Sequence, residues 1–322
     1  MSDFVSGFWN IYVTGIALVS IVGCAVFLWM QSSAKHAVGQ TTGHVWDETL
    51  EEYSNPLPNW WRWLFYITVF FSLAYLVLYP GLGTYSGTKG WTSVGQYEEE
   101  RAAADAQFQK AYGPLLTENI MTVAANPRAK EAGQRMFLTY CAQCHGSDAK
   151  GAKGFPDLTN SDWQYGGTPD RIEETILGGR IGAMPAYGGN PAAIGGVEGA
   201  REVANYVRSL SGLANDSALA AKGKVKFDMV CVACHGADAK GNQMIGAPNL
   251  TDKVWLYGSS ESTIMETITK GRVNQMPAHK DFLGAGKVHL LAAYVWGLGG
   301  GVKPIDPMTQ PATMPADQAE GG

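Results

Sequence analysis

Two five-residue blocks constrain this chain more than any other feature: Cys141-Ala142-Gln143-Cys144-His145 and Cys231-Val232-Ala233-Cys234-His235. Two cysteines that flank two residues, with a histidine directly after them, form the attachment pattern of a c-type haem. The thiols reach the two vinyl groups of one porphyrin, and the imidazole turns onto the iron. A bare Cys-x-x-Cys would also suit a redox dithiol or half of a zinc site, but the histidine in both blocks argues against these. The sequence therefore predicts two covalently bound haems c.

Composition limits the partners and the compartment. The chain has 322 residues and a formal net charge of −5, and so mild a charge argues against nucleic acid as a partner. The haem blocks use four of the five cysteines, which leaves Cys24 alone and no pair for a disulfide. Covalent haem attachment in bacteria takes place on the periplasmic side of the inner membrane, so we expect the haem region in the periplasm.

Two uncharged stretches predict membrane-spanning helices. The first runs from Phe4 to Met30, and its 27 residues exceed the roughly 20 that a helix needs to cross a bilayer. It lacks the basic start of a cleaved signal peptide, which is the competing interpretation. The second runs from Trp63 past Gly83, after an aromatic and cationic cluster typical of a membrane interface, and its all-round apolarity argues against a buried core helix. We expect spans at 1–30 and 60–83 in a multi-pass protein of the bacterial inner membrane.

The orientation of these spans follows from the haems rather than from the charges. Lys35 and Arg62 flank the segment between the spans, while Lys89 and Arg101 follow the second span, so the positive-inside rule gives a tie. With the haem region in the periplasm and two spans, both chain termini are periplasmic. Residues 31–59 are then a cytoplasmic loop.

The region after the membrane is duplicated. The second block follows the first by 90 residues, and a matching Gly-x-Asp-Ala-Lys-Gly segment comes directly after each block. Further matched positions are Trp163 and Trp255, Tyr165 and Tyr257, and Gly179-Arg180 and Gly271-Arg272. The duplication implies one cytochrome c domain at 127–215 and a second at 216–303. A linker at 84–126 precedes them, and a tail at 304–322, rich in Pro, Gly, Ala and polar residues, is predicted to be disordered.

Each domain is predicted to consist of a helix, the haem block, a long loop and a closing helix. In the closing helix of the first domain, apolar residues recur at helical spacing at Val203, Tyr206, Val207 and Leu210. No convincing alternating strand pattern is present. The predicted fold class is therefore all-α, with two N-terminal transmembrane helices followed by two tandem c-type cytochrome domains. Haem supplies core that domains of this size would otherwise lack.

A methionine is the expected second axial ligand of each iron. Met184-Pro185 lies 39 residues after His145, and Met276-Pro277 lies 41 residues after His235, each in a matching context. A thioether is a soft, neutral ligand that favours ferrous iron and raises the reduction potential. Ordinary packing is the alternative role for a single methionine, but the matched positions in both repeats favour ligation. Each methionine serves its own domain's iron by default, and a crossed arrangement between the domains stays open.

Two features resemble known families. Each haem domain is similar to the small c-type cytochrome fold, in which an N-terminal helix crosses a C-terminal helix, here Gly133 with Tyr206 and Gly223 with Tyr294. The stretch Glu-Tyr-Ser-Asn-Pro-Leu-Pro-Asn-Trp-Trp at 52–61, followed by an apolar span that ends Tyr-Pro-Gly-Leu-Gly at 79–83, resembles the signature of CcoP, also called FixP. CcoP is the dihaem subunit III of cbb3-type cytochrome c oxidases. Many members have one span, so the two spans here are a departure.

The resemblance implies a function that the spacing alone does not. Such subunits accept electrons from a donor cytochrome c and pass them to a monohaem cytochrome c subunit. The electrons then reach a haem–copper catalytic subunit that reduces oxygen and pumps protons. This chain would then be an electron-transfer subunit of a respiratory terminal oxidase, without the oxygen-reducing site itself. It has no catalytic residue of its own under this interpretation.

Other functions share the same haem chemistry. A membrane-tethered dihaem carrier for another reductase or dehydrogenase differs only in its partner. A dihaem peroxidase belongs to a different class, because it needs an open or displaceable face on one iron. A gas-sensing role is a third alternative, although no signalling module is visible. Proteins that co-purify with the chain would separate the first alternative from the oxidase, and carbon monoxide binding would favour the peroxidase.

Overall fold

The computed structural model describes residues 6–33, 39–188, 191–299 and 301, and most of them are helical. The predicted tail at 304–322 lies outside the described residues. The chain divides into two compact units, Met1–Lys110 and Ala111–Gly322.

Two long apolar helices dominate the first unit. Helix α1 spans Gly7–Ser33 and helix α2 spans Asn59–Leu78, close to the predicted spans. By length and composition both could cross a membrane, with mean hydropathies of 2.4 and 1.5. Almost none of their side chains is buried within the protein, and Ile11 and Phe70 are 74% and 75% exposed. A helix that is apolar on all faces and not covered by protein suits a lipid environment.

The two helices of this unit run antiparallel. Asn10, near the start of α1, accepts a hydrogen bond of 2.6 Å from the backbone N–H of Thr84, which follows α2. At the opposite end, Leu28 and Phe65 line one groove between the helices. Gly83 has a left-handed φ of 59°, and a Cβ there would overlap the Asn10 side chain. The start of α1 therefore lies beside the end of α2.

The segment predicted as a loop at 31–59 contains a β-hairpin. Strand β1, Thr41–Trp46, pairs antiparallel with strand β2, Leu50–Tyr53. Asp47 and Glu48 turn the chain with positive φ angles. Every side chain of both strands is exposed. Because neither face of the hairpin is buried, it lacks the apolar and polar alternation that signals a strand.

Helices form most of the second unit. Helix α3, Ser93–Tyr112, and a 3₁₀ turn, Gly113–Thr117, lead into it. The helices of the first repeat are α4 Ile120–Ala125, α5 Pro127–Tyr140, α6 Ala142–His145, α7 Pro169–Gly178, α8 Pro191–Ile194 and α9 Gly196–Leu210. Those of the second are α10 Ser217–Val230, α11 Val232–His235, α12 Glu261–Lys270, α13 Lys280–Leu283 and α14 Ala285–Trp296.

A two-stranded ribbon also connects the repeats, so the all-α prediction is incomplete. Strand β3, Arg180–Met184, pairs antiparallel with strand β4, Arg272–Met276, through five residue pairs. The outward side chains include Ile181 and Val273, whereas the inward ones include arginine and methionine. This arrangement inverts the usual alternation, in which apolar side chains point inwards, and it explains why the sequence pattern did not indicate strands.

The helices of the two repeats are exchanged. Helix α5 of the first repeat packs against α14 of the second, and α10 of the second packs against α9 of the first. A Cβ at Gly133 would lie 2.5 Å from Cβ of Tyr294, and one at Gly223 would overlap the backbone oxygen of Glu202. The expected crossings of Gly133 with Tyr206 and of Gly223 with Tyr294 are therefore wrong. Because the repeats carry equivalent residues at these positions, sequence could not distinguish the two pairings.

The exchange produces two lobes of mixed origin. Lobe A combines α4 to α7 with α13 and α14, and lobe B combines α8 and α9 with α10 to α12. In lobe A, His289 of α14 has its Nδ1 2.9 Å from Oε1 of Glu173 on α7, and its Nε2 3.1 Å from the backbone oxygen of Glu118. In lobe B, Val203 of the first repeat and Phe227 of the second belong to one buried core. Each lobe therefore needs both repeats.

Candidate haem sites

Each Cys-x-x-Cys-His block forms a single helical turn at the end of a longer helix. In the first block Cys141 follows α5, and its backbone oxygen accepts hydrogen bonds from the N–H groups of Cys144, at 3.1 Å, and His145, at 3.0 Å. The second block repeats this turn, with Cys231 accepting from Cys234 at 3.1 Å and from His235 at 2.9 Å. One turn thus carries two sulfurs and one imidazole, which is the donor set that covalent haem attachment requires.

Both histidines are buried and held in one orientation. Nδ1 of His145 lies 3.2 Å from the backbone oxygen of Pro156, and Nδ1 of His235 lies 3.1 Å from that of Pro248. A ring held through Nδ1 presents Nε2 to a metal, which is the usual arrangement of a ligating histidine. Burial lowers the pKa of both imidazoles, although these hydrogen bonds partly oppose it. The neutral form, which is the form that binds iron, is therefore favoured.

The first cysteine of each block does not have the character of a reactive thiol. Burial raises the pKa of Cys141 and of Cys231 to about 11, with a smaller contribution from the second cysteine of each block. A reactive thiol needs a lowered pKa so that the thiolate is present at neutral pH. Cys144 and Cys234 are exposed at the other end of each turn. Among the residues that the structure describes, no group of three or more His, Cys, Asp or Glu side chains is arranged to hold a metal ion.

Met184 and Met276 each end one strand of the ribbon, and each is followed by chain that contacts the lobe with the haem block of the other repeat. Met184 packs against the core of lobe B, together with Cys231 of the second block. Directly after it, the N–H of Tyr187 donates to the backbone oxygen of Ile268 on α12, at 2.9 Å. After Met276, the N–H of His279 donates to the backbone oxygen of Ile176 on α7, at 3.0 Å. The chain near each methionine thus contacts the repeat that holds the opposite block.

Two arginines at the start of the ribbon strands had no predicted role. The Arg180 guanidinium lies over the ring of Tyr165, 5.2 Å from its centroid, and that of Arg272 lies over Tyr257 at 4.3 Å. The Tyr257 hydroxyl also donates to the side-chain oxygen of Asn274 on β4. The only signal of these pairs in the sequence was that both members matched between the repeats. Spacing could not indicate a contact, because tyrosine and arginine are separated by a whole helix.

Family comparisons match most of the chain. A family model described as the N-terminal domain of cytochrome oxidase-cbb3, FixP, covers residues 38–86, which include the hairpin and α2. A second, described as cytochrome c oxidase, cbb3-type, subunit III, matches twice, at 128–207 and at 218–295. Each of these two matches contains one haem block and one of the two candidate methionines. The prediction of two covalently bound haems c is confirmed.

Curated relatives are similar over nearly their whole length. The chain is 48% identical to the cbb3-type cytochrome c oxidase subunit CcoP of Rubrivivax gelatinosus, over 92% of this chain and 97% of that protein. It is 42% identical to subunit FixP of Bradyrhizobium sp. strain ORS 278 and 38% identical to subunit CcoP of Cereibacter sphaeroides, each over 81% of this chain and 95% of the relative. Its role is that of a membrane-anchored dihaem electron-transfer subunit. The chain belongs to the CcoP/FixP family of cbb3-type cytochrome c oxidase subunits.

Proposed function

We propose that this chain accepts electrons from a donor cytochrome c and relays them through its two haems to a monohaem cytochrome c subunit and the haem–copper catalytic subunit of a cbb3-type oxidase. The names of its relatives support the assembly, because they are subunits of such oxidases. The observation that carries the relay is the pair of equivalent blocks, each with a buried imidazole, together with the two methionines at matched positions on the ribbon. An iron with both axial positions filled is suited to electron transfer rather than to substrate binding.

The ligand sets of this proposal are crossed between the repeats. The first haem is attached to Cys141 and Cys144, and its iron is bound by His145 and Met276. The second is attached to Cys231 and Cys234, and its iron is bound by His235 and Met184. The packing of Met184 and Cys231 against the same core in lobe B supports the second set, and the contact of the chain after Met276 with α7 supports the first.

A variant chain that carries only one haem tests whether the methionine ligands are exchanged between the repeats. In the full-length background Cys141→Ala/Cys144→Ala, one haem remains at the second block, and its sulfur–iron charge-transfer band reports methionine ligation. We expect Met184→His to abolish that band and Met276→His to preserve it. The mirror background, Cys231→Ala/Cys234→Ala, should give the opposite result. A band that disappears with the methionine of the haem's own repeat would show that ligation is local.

The membrane arrangement of this proposal has two spans. Helices α1 and α2 cross the inner membrane, so the chain is multi-pass. The hairpin at Thr41–Tyr53 is cytoplasmic, and the chain start and the haem domains are periplasmic. The contact of Asn10 with Thr84 supports this topology, because it brings the start of α1 and the end of α2 to the same side. Alkaline phosphatase fused after residue 90 should be active and the same enzyme fused after residue 54 inactive, and the reverse pattern would contradict the orientation.

The partners of this proposal can be tested by purifying the chain with its complex. In chain order the two repeats, each with one haem block, are 127–215 and 216–303, and the exchange of helices builds each lobe from both. The linker at 84–126 contains α3 and ends with α4, which packs in lobe A. Affinity purification of the full-length chain in mild detergent should recover a haem–copper subunit and a monohaem cytochrome c. If the chain is instead recovered with a different reductase or dehydrogenase, and without a haem–copper subunit, the proposal that it works in an oxidase complex is wrong. Reduced donor cytochrome c added to the purified complex should be oxidised with oxygen as the final acceptor.

A further inference from the structure

Arg180 has one guanidinium nitrogen that lacks an acceptor. Its Nε donates to Oγ1 of Thr175 at 3.0 Å, and its Nη1 donates to Oε1 of Glu174 at 3.1 Å. Its Nη2 is buried and has no hydrogen-bond partner among the described residues. The guanidinium also lies over the ring of Tyr165. The guanidinium therefore makes three contacts within lobe A, to Thr175, Glu174 and Tyr165. Its Nη2 donor is left without an acceptor among the described residues.

Arg272 repeats this arrangement in lobe B. Its Nε donates to Oγ1 of Thr267 at 3.0 Å, and its guanidinium lies over Tyr257. Its buried Nη2 lies 3.6 Å from Oε2 of Glu266, which is beyond hydrogen-bond distance, and it bonds to no other described residue. Nε1 of Trp255 is a second buried donor in this lobe without a partner among the residues described. The equivalent nitrogen lacks an acceptor in both repeats, which indicates that each arginine binds a ligand of the same kind rather than that one site is locally irregular.

The chemistry of these nitrogens selects an anionic acceptor. Leaving a charged donor buried and unpaired is costly, so such groups are almost always satisfied in the functional molecule. A guanidinium matches the planar geometry of a carboxylate better than any other side chain does. Glu174 and Glu266 cannot fill this role completely, because their side chains are 51% and 41% exposed and their charges face solvent.

The ribbon aligns each arginine with the methionine that we assign to the same iron. In the register of the strands, Arg180 lies opposite Met276, and Arg272 lies opposite Met184. All four side chains are half-buried on the inward face of the ribbon. With the ligand sets proposed above, each iron site then combines a histidine and an arginine of one repeat with a methionine of the other.

We propose that Nη2 of Arg180 and Nη2 of Arg272 each donate a hydrogen bond to a propionate carboxylate of a haem. Arg180 serves the haem of His145, and Arg272 serves the haem of His235. The inference rests on the proposed function, because the carboxylate is that of the covalently bound haem. The positive charge opposes the additional charge of ferric iron and so raises the reduction potential. The arginine thereby fixes the orientation of the haem and favours its reduced form.

Matched variants of the full-length chain, purified in detergent with both haems, test this proposal. Arg272→Gln should lower one of the two reduction potentials, so that the reduced fraction of that haem at a fixed ambient potential falls several-fold. The propionate bending band in its resonance Raman spectrum should shift. Arg180→Gln should do the same to the other haem. Arg272→Lys keeps the charge, and we expect it to preserve most of the potential while it still shifts the propionate band.

For each arginine, a second basic residue that pairs with the same glutamate serves as the control. Arg171 pairs with Glu174 at 2.7 Å, and Lys270 pairs with Glu266 at 3.5 Å, but neither residue lies over a tyrosine. Arg171→Gln and Lys270→Gln remove the same charge and should change neither the Raman band nor the potentials appreciably. If the control and the arginine variants shift the potentials equally and leave the Raman band in place, the arginines act only as surface charge and the proposal is wrong. If Arg272→Gln loses its haem, the Raman band of Arg272→Lys decides, and an unshifted band overturns the proposal.

A double variant separates this inference from the ligand assignment. Met184→His lowers the potential of the haem whose iron Met184 binds. If Arg272 serves the same haem, Met184→His/Arg272→Gln should shift one potential twice and leave the other unchanged. Two shifted potentials would overturn the assignment of Arg272 to that haem. If Met184→His changes no charge-transfer band while Arg272→Gln still shifts a propionate band, the methionine assignment fails and the arginine contact stands.

Discussion

The exchange of helices predicts which aromatic pairs stabilise one another. The rings of Phe137 on α5 and Tyr294 on α14 lie 5.5 Å apart, centroid to centroid, and those of Phe227 on α10 and Tyr206 on α9 lie 5.2 Å apart. Both phenylalanines are fully buried. An aromatic pair at such a distance contributes about 0.5–1.5 kcal/mol beyond the apolar area that it buries. Without exchange, Phe137 would pair with Tyr206 instead.

A double-mutant cycle measures this coupling. Phe137→Leu and Tyr294→Leu are made singly and together in the full-length haem-loaded chain, and unfolding by guanidinium is followed by circular dichroism of the haem bands. Leucine leaves an apolar side chain in place, so we expect each single change to cost on the order of 1–3 kcal/mol. The double variant should lose about 0.5–1.5 kcal/mol less than the sum of the single variants.

The control is a second double-mutant cycle, on two residues that lie in different lobes. Phe137→Leu with Tyr206→Leu should be additive within about 0.5 kcal/mol, because Phe137 packs in lobe A and Tyr206 in lobe B. Coupling between Phe137 and Tyr206, together with additivity between Phe137 and Tyr294, would refute the exchange. Coupling between Phe227 and Tyr206 is the matching expectation in lobe B.

Three further predictions concern individual contacts. Gly223→Ala should destabilise the chain by about 1–3 kcal/mol despite the better helix propensity of alanine, because its Cβ would overlap the backbone of Glu202; a higher unfolding midpoint in guanidinium would contradict the close crossing. Glu202→Gln should cost about 1.5–3 kcal/mol, because this buried carboxylate pairs with Lys226 across the α9–α10 contact; an unchanged midpoint would count against it. Met184→His and Met276→His should each retain both haems and lower one reduction potential; if neither potential moves in a redox titration, the ligand assignment is wrong.

Local chemistry explains which features could be predicted from sequence. The geometry of covalent haem attachment dictates the Cys-x-x-Cys-His spacing, so the two blocks indicate haem without any knowledge of the fold. Helix starts were also readable in principle, because Asn126 and Asp216 cap α5 and α10 with side-chain oxygens that accept backbone N–H groups. The two long apolar helices α1 and α2 could be predicted for the same reason, since length and composition are local properties.

The pairing of the repeats was not predictable, because it depends on a choice between equivalent partners. Glycine stands at the crossing point of both entry helices, and tyrosine stands at the matched position of both closing helices, so exchanged and local pairings satisfy the same pattern. The roles of Arg180 and Arg272 were hidden for a related reason. Their acceptors are not in the sequence, and an unsatisfied guanidinium nitrogen becomes visible only when the surrounding residues are in place.

The ribbon provides a physical reason for the exchange. After Gly179 and Gly271, which have left-handed φ angles of 68° and 71°, the chain leaves the helix of its own repeat and continues into the opposite lobe. The two connections therefore run in opposite directions, and their five paired residues lie side by side over about 17 Å. Two self-contained domains would have no such neighbouring strands, so the backbone hydrogen bonds of the ribbon exist only when the repeats exchange. Because the same register sets an arginine of one repeat opposite a methionine of the other, the exchange is also what the proposed ligand sets require, in which each haem site draws on both halves of the duplication.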